Sequence, residues 1–249
     1  MKTKILSFVI LMAILCSNSY ALIYDDFNGN SINSSLWNVS YNGSGGFDPL
    51  MFSASGSSLN AHRPTYGYGS SVYGFLSSTT TISGDFQLVV DYSGFSTDGI
   101  SAGDAPQLAL FVSPNGQTHS SEGIQRYAWA DNGKINELFS GLHWGTGNPS
   151  PSNATSDSGQ MMIARNGSNI GTFYNEGNGW ISLGYYSDLL MGDLTFGLEF
   201  YTGDGGTFNV DINSVELFEP APVPEPATML LLGSGFVGLA ALRKKTKRS

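Results

Sequence analysis

Carboxylates, histidines, serines and aromatics are the first places to look for chemistry in this 249-residue chain. Two carboxylates two positions apart on a strand share one sheet face and can serve as acid and nucleophile at a glycosidic bond. Glu122, Glu137, Glu176, Glu199, Glu216, Glu219 and Glu225 each lack an aspartate two positions on. A pair converging from separate strands stays open as an alternative. His62, His119 and His143 have no metal-ligand spacing, and the exported body has no cysteine to complete a zinc site. Gly99-Ile-Ser-Ala-Gly103 has the Gly-x-Ser-x-Gly spacing, but the apolar run that follows at 107–112 reads as a strand and not as the helix that a nucleophile elbow needs. Asp26, Asn28 and Asn30 alternate like the start of a calcium loop, but Ser31 replaces the required glycine and Trp37 falls where a bidentate glutamate belongs. Calcium held by loop carboxylates near Asp98, Asp104, Asp131 and Asp204 stays open, and no cofactor is indicated. The catalytic set is therefore empty.

Aromatics remain, because the C–H faces of sugar rings stack on Trp and Tyr. Trp129 with Asp131, Trp144 in Gly141-Leu-His-Trp-Gly, and Trp180 are candidate platforms. For each tryptophan, packing in the core or on a sheet is the expected role ahead of binding. Tyr66-Gly-Tyr68-Gly lies in a loop expected to be exposed and is the better contact surface.

The elements that would position these residues alternate at period two, as strands do. Leu194, Phe196, Leu198 and Phe200 face one way, and Thr195, Gly197, Glu199 and Tyr201 the other. Phe86, Leu88 and Val90 repeat the pattern, as do Phe208, Val210 and Ile212, whose phase changes near Ser214 and implies a bulge. The almost uniformly apolar stretch 107–112 predicts a strand buried on both faces. From Gln160 to Tyr186, Asn166-Gly167 and Asn178-Gly179 punctuate three apolar runs and predict a three-stranded meander. Further strands are expected at 23–27, 37–40, 72–82, 123–130 and 134–139, with 148–158 a loop. About a dozen strands at this spacing predict an all-β, antiparallel two-sheet sandwich over residues 22–220.

Both ends carry targeting features. Lys2 and Lys4, the apolar stretch Ile5 to Leu15, and Ser19-Tyr20-Ala21 form a signal peptide over residues 1–21. At the other end, residues 223–249 hold Pro224-Glu225-Pro226, an apolar run from about 227 to 242, and the cluster Arg243, Lys244, Lys245, Lys247 and Arg248. A basic cluster after a short apolar segment marks the cytoplasmic side, which predicts a single transient inner-membrane helix. Setting both ends aside leaves four basic against nineteen acidic residues, a formal charge near −15. That excludes nucleic acid as a partner, since binding it needs a basic footprint.

The tail resembles the PEP-CTERM sorting signal of Gram-negative bacteria, on the Val223-Pro-Glu-Pro motif, the short apolar helix and the basic end. The resemblance implies export, cleavage near the motif by an exosortase, and an association with exopolysaccharide and biofilm at the cell surface or in the matrix. Pro224, Glu225 and Pro226 would then be recognition residues for that protease. The body is similar to concanavalin A-like lectin/glucanase jelly rolls, on Tyr24-Asp-Asp-Phe-Asn-Gly29 with Leu36-Trp37, and on Ile163-Ala-Arg-Asn-Gly167 with Phe173-Tyr-Asn175 and Gly179-Trp180. Laminarinase-type hydrolases of that superfamily carry the Glu-x-Asp-x-(x)-Glu strand that is missing here. The expectation is a non-catalytic exported protein that associates with exopolysaccharide. A glycan-active hydrolase or lyase, and a structural adhesin without a specific ligand, are the alternatives.

Overall fold

The computed structural model describes residues 20–43, 51–63, 71–100, 105–114, 122–131, 134–142, 151–187, 192–203 and 207–219. The signal segment through residue 19 and the whole C-terminal tail, with the expected membrane helix, lie outside the described residues. The body, Ala21–Glu219, clusters as one compact unit.

Among the described residues the strands are, in chain order, β1 (Tyr20–Asp25), β2 (Trp37–Gly43), β3 (Met51–Ser55), β4 (Ser58–Arg63), β5 (Val72–Ile82), β6 (Phe86–Asp98), β7 (Gln107–Ser113), β8 (Glu122–Asp131), β9 (Lys134–Leu142), β10 (Ser152–Asn153), β11 (Gly159–Asn166), β12 (Asn169–Asn175), β13 (Ile181–Ser187), β14 (Leu194–Thr202) and β15 (Thr207–Glu219). They form two antiparallel sheets. One runs β13-β12-β11-β6-β15-β4-β3, with β1 also paired to β15, and the other runs β10-β9-β8-β7-β14-β5-β2. The all-β, antiparallel two-sheet sandwich expected from the period-two pattern is the fold observed, as is the jelly roll that the resemblance implied.

Alternation built the core as the pattern requires. Leu88, Val90, Val210 and Ile212 from one sheet meet Leu108, Leu110, Leu198 and Phe200 from the other, all fully buried. β7 is buried on both faces along nearly its whole length, as its apolar run predicts. The phase change in β15 is a register shift between Ile212 and Ser214, which returns Val215 and Leu217 to the interior.

Local chemistry departs from expectation at the turns. Gly167 has φ 60° and Asn166 remains the last paired residue of β11, opposite Asn169. The two-residue loop is thus Gly167-Ser168, and asparagine does not supply the positive φ. The second connection is longer than a tight hairpin: Asn175 Oδ1 accepts from the amides of Gly177 and Gly179 at 2.9 and 3.0 Å. The β3–β4 hairpin was not anticipated, and the 148–158 loop contains the short strand β10, which pairs with Leu138 and Phe139.

The opening motif has a structural role. Asp25 accepts from the Phe27 amide at 2.8 Å and from Trp37 Nε1 at 2.7 Å, while the Tyr24 hydroxyl donates to the Leu36 carbonyl at 2.9 Å. These bonds hold Phe27 at φ 50°, where its ring stacks on buried Trp37. The expected strand over 23–27 therefore stops at Asp25.

Three of the four basic residues of the body are buried and tie loops and sheets together. Arg63, on β4, donates to the Thr202 side chain and carbonyl at the end of β14 in the other sheet. Arg165 donates to the Gly192 carbonyl. Arg126, on β8, pairs with Glu137 at 2.5 Å, donates to the Ser156 carbonyl at 2.9 Å, and lies over the rings of Phe95 and Phe139.

Candidate functional site

The outer face of the seven-stranded sheet is the candidate site, and its composition follows from which residues alternate away from the core. Across the strands, Asn42, Tyr73, Tyr201, Gln107 and Tyr127 form one row. Ser40, Phe75, Glu199, Ala109 and Gln125 form the next, and Asn38, Ser77, Gly197, Phe111 and Gly123 a third. Four gaps of about 4.8 Å make each row roughly 19 Å long. The first row is the accessible one, since Glu199 and Ala109 of the second and Gly197, Phe111 and Gly123 of the third are buried.

The rings are ordered by one another. Tyr73 and Tyr201 lie 4.5 Å apart between centroids, and Tyr73 stacks with Phe75 at 6.1 Å and 2°. Tyr73, Phe75, Tyr201 and Tyr127 are all half-buried, so each keeps part of its ring in solvent. Glu199 sits among them, buried, and accepts from Gln107 Nε2 at 2.8 Å. Burial, and secondarily the negative Glu199, pushes the Tyr73 hydroxyl above its ordinary pKa; burial alone does the same to Tyr127. At the third row Gly197 admits the ring of Phe111: a Cβ there would meet the Leu76 carbonyl and stand 2.7 Å from Phe111 Cζ.

Retaining glycosidases need two carboxyl groups about 5 Å apart. Among the described side chains of this face, Glu199 is the one carboxylate. β8 carries Gly123, Gln125 and Tyr127 at its outward positions, and β7 carries Gln107, Ala109 and Phe111. Among the described residues no group of three or more His, Cys, Asp or Glu side chains is placed to hold a metal. Asp26 accepts from the Asn28 amide and side chain, so these two would-be calcium ligands serve each other.

The sequence candidates are scattered. Trp129 lies on the outward face of β8, opposite Asn136 and one step beyond Tyr127, and is 40% exposed. Trp180 is 43% exposed in the turn before β13. Neither ring enters the core, which corrects that part of the packing expectation, although Trp129 does lie on a sheet. Trp37 does pack, at 2% exposure. Trp144, Tyr66 and Tyr68 lie outside the described residues, as do Pro224, Glu225, Pro226 and the basic tail. Sequence reasoning missed Tyr73, Phe75, Tyr127 and Gln107. It did assign Glu199 and Tyr201 to the side of β14 facing away from the core, and that assignment was the available signal.

Residues 222–245 match the PEP-CTERM protein-sorting motif, a span that includes Pro224-Glu225-Pro226 and Arg243 to Lys245. That motif directs export through the membrane for exosortase processing and cell-surface sorting. Comparison with curated proteins gives no match. Solved structures similar to the chain include a putative β-glucanase from Mycobacterium abscessus (14% identity, 80% of this chain and 98% of that one, TM-score 0.53). A pseudo β-1,3-glucanase of Mycobacterium tuberculosis is similar too (15% identity, 81% and 98%, TM-score 0.55). So is the exoplasmic/lumenal domain of VIP36 in its Ca2+/Man2-bound form (16% identity, 82% and 89%, TM-score 0.54). At these identities the likeness is one of fold. The chain thus carries a PEP-CTERM protein-sorting motif at residues 222–245, and its body shares the fold of these lectin and glucanase structures.

Proposed function

We propose that the body is a non-catalytic carbohydrate-binding module that holds the producer's exopolysaccharide at the cell surface or in the extracellular matrix. One observation carries this reading: the outer face of the seven-stranded sheet offers half-exposed rings in register with amides and hydroxyls, and a single described carboxylate. Sugar C–H faces stack on Tyr73, Tyr201, Tyr127 and Trp129, while Asn42, Ser40 and Gln125 supply hydrogen bonds. The fold's presence in lectins and glucanases fits a sugar ligand without deciding for catalysis.

The burial of Glu199 favours one second reading, a glycan-active enzyme using that carboxyl as its acid. The test presents the exported protein with the host's own polysaccharide and a panel of β-glucans. Bound sugar and newly formed reducing ends are measured together. Tyr201→Ala should weaken binding about tenfold, equivalent to roughly 1.4 kcal/mol, with no reducing ends released by either form. Release of reducing ends that Glu199→Gln abolishes would replace this reading with the enzyme. Neither binding nor release would leave a structural adhesin.

A further inference from the structure

A second pair of rings lies on the opposite outer face, at the β13 end of the eight-stranded sheet. Gly171 on β12 pairs with Tyr185 on β13, and both Phe173 and Gly171 point away from the core that Ile170 and Tyr174 enter. A Cβ at Gly171 would stand 2.7 Å from Tyr185 Cε1 and 2.9 Å from Phe173 Cε2. The missing side chain lets both rings settle on the strand. They meet edge to face, centroids 5.4 Å apart at 79°. Tyr185 is nevertheless 68% exposed, the largest value among the described large hydrophobic side chains.

Pairing extends this row inward through Ala164 to Gln87, with Asn169, Ser182 and Ser187 exposed around it. A ring seated on a glycine, open to water on its outer side and bordered by amides and hydroxyls, has the chemistry of a pyranose platform. Charge narrows the ligand. The body carries a formal charge near −15, and three of its four basic residues, Arg63, Arg126 and Arg165, are buried. A polyanionic glycan would be repelled, and so would a second copy of the chain.

We propose that Tyr185 and Phe173 form a second carbohydrate site for a neutral glycan, so that one domain holds two chains on its opposite outer faces. This rests on the reading that the seven-stranded sheet binds sugar. Two sites on one rigid module make the protein a cross-linker of matrix polysaccharide without oligomerisation, with avidity from bivalent attachment.

Calorimetric titration of the exported protein with laminarihexaose and cellohexaose reads the number of sites, and agglutination of glucan-coated beads reads cross-linking. The wild type should bind two oligosaccharides per chain and agglutinate beads. Tyr185→Ala and Tyr201→Ala should each leave one site and end agglutination, and the double variant should bind none. Tyr185→Phe, which keeps the ring, should restore both readouts. Thermal midpoints within a degree or so of wild type for Tyr185→Ala establish that the fold survives. One site in the wild type, unchanged by Tyr185→Ala and lost in Tyr201→Ala, overturns the second platform and leaves the first standing. One site lost only in Tyr185→Ala overturns the reading of the seven-stranded face and the cross-linking with it, while no binding by the wild type at all overturns both platforms.

Discussion

The two outer faces of the sandwich share one strand period and treat their polar side chains in opposite ways. On the eight-stranded sheet, Asn175 donates to Gln160, Gln160 to Asp91, Asn213 to Asp91, and Ser93 to Asn213. Alongside, Asn60 donates to both Asn209 and Asp211 at 3.0 and 2.9 Å. Amide and carboxylate satisfy one another from β12 to β4, and each such bond adds only about 1 kcal/mol net. On the seven-stranded sheet the equivalent positions hold rings, and Glu199 is turned to Gln107. The polar network leaves the eight-stranded face mainly its Tyr185–Phe173 edge to present to a ligand, whereas the seven-stranded face presents rings along its first row.

The faces can be opposed only while the sheets are held together, so the sharpest way to break the comparison is from inside. Arg126 reaches from β8 to Glu137 and Ser156 and fills the space between Phe95 and Phe139. Arg126→Met should lower stability by about 1–2 kcal/mol, from its lost hydrogen bonds and ring contacts. The loss is no larger because Glu137 is 38% exposed and stays solvated, and the guanidinium Nε and Nη1 that are removed have no hydrogen-bond partner among the described residues. Urea unfolding measures this. A loss below about 1 kcal/mol would mean that packing alone sets the sheet separation.

The paired glycines separate the faces more finely. Gly197→Ala places a methyl against the Leu76 backbone carbonyl and the buried Phe111 ring. Neither can yield cheaply, and overpacking of this kind costs about 1–3 kcal/mol. Gly171→Ala pushes only against the rings of Tyr185 and Phe173, and the exposed Tyr185 can swing into solvent. Its cost should be under about 1 kcal/mol, as for surface substitutions. Equal losses in thermal melts would show that Tyr185 is held as firmly as Phe111.

Much of the sandwich was legible because burial imposes alternation, and a bulge as small as that at Ser214 left its mark in the phase of Val215 and Leu217. The β3–β4 hairpin was not legible. β4 does alternate, but its buried positions are Leu59, Ala61 and Arg63, and β3 buries only Ala54, so the apolar set is too thin to show a period in sequence. The candidate site escaped for a different reason. Tyr73, Gln107 and Tyr127 lie 20 residues or more apart along the chain and become neighbours only when β5, β14, β7 and β8 pair. Searching for aromatics beside acids in sequence led instead to Trp129, the rim of that surface. The exposure of Trp129 and Trp180 has the same origin, since a tryptophan's burial depends on which layer lies above it, and no neighbouring residue in sequence reports that.

Two tyrosines give the finest test, one in the interior and one on the aromatic face. Tyr92 is pushed well above its ordinary pKa, first by burial and then by Glu176 and Glu137, against the opposing pull of Arg126. Tyr73 is raised by burial and then by Glu199, but it is only half-buried. A phenol whose folded pKa is raised contributes stability in full below its ordinary value of about 10, and that contribution is lost as pH rises toward the folded value. Stability should therefore be flat through neutrality and fall above pH of about 10. Tyr92→Phe should soften the fall more than Tyr73→Phe does. In an absorbance titration Tyr73 should ionise while the fold is intact, and earlier in Glu199→Gln, whereas Tyr92 should ionise only as the sandwich opens. If Tyr92 instead titrated reversibly before unfolding, the Arg126 cluster would be open to water, and the interior would no longer be the barrier that keeps the two faces independent.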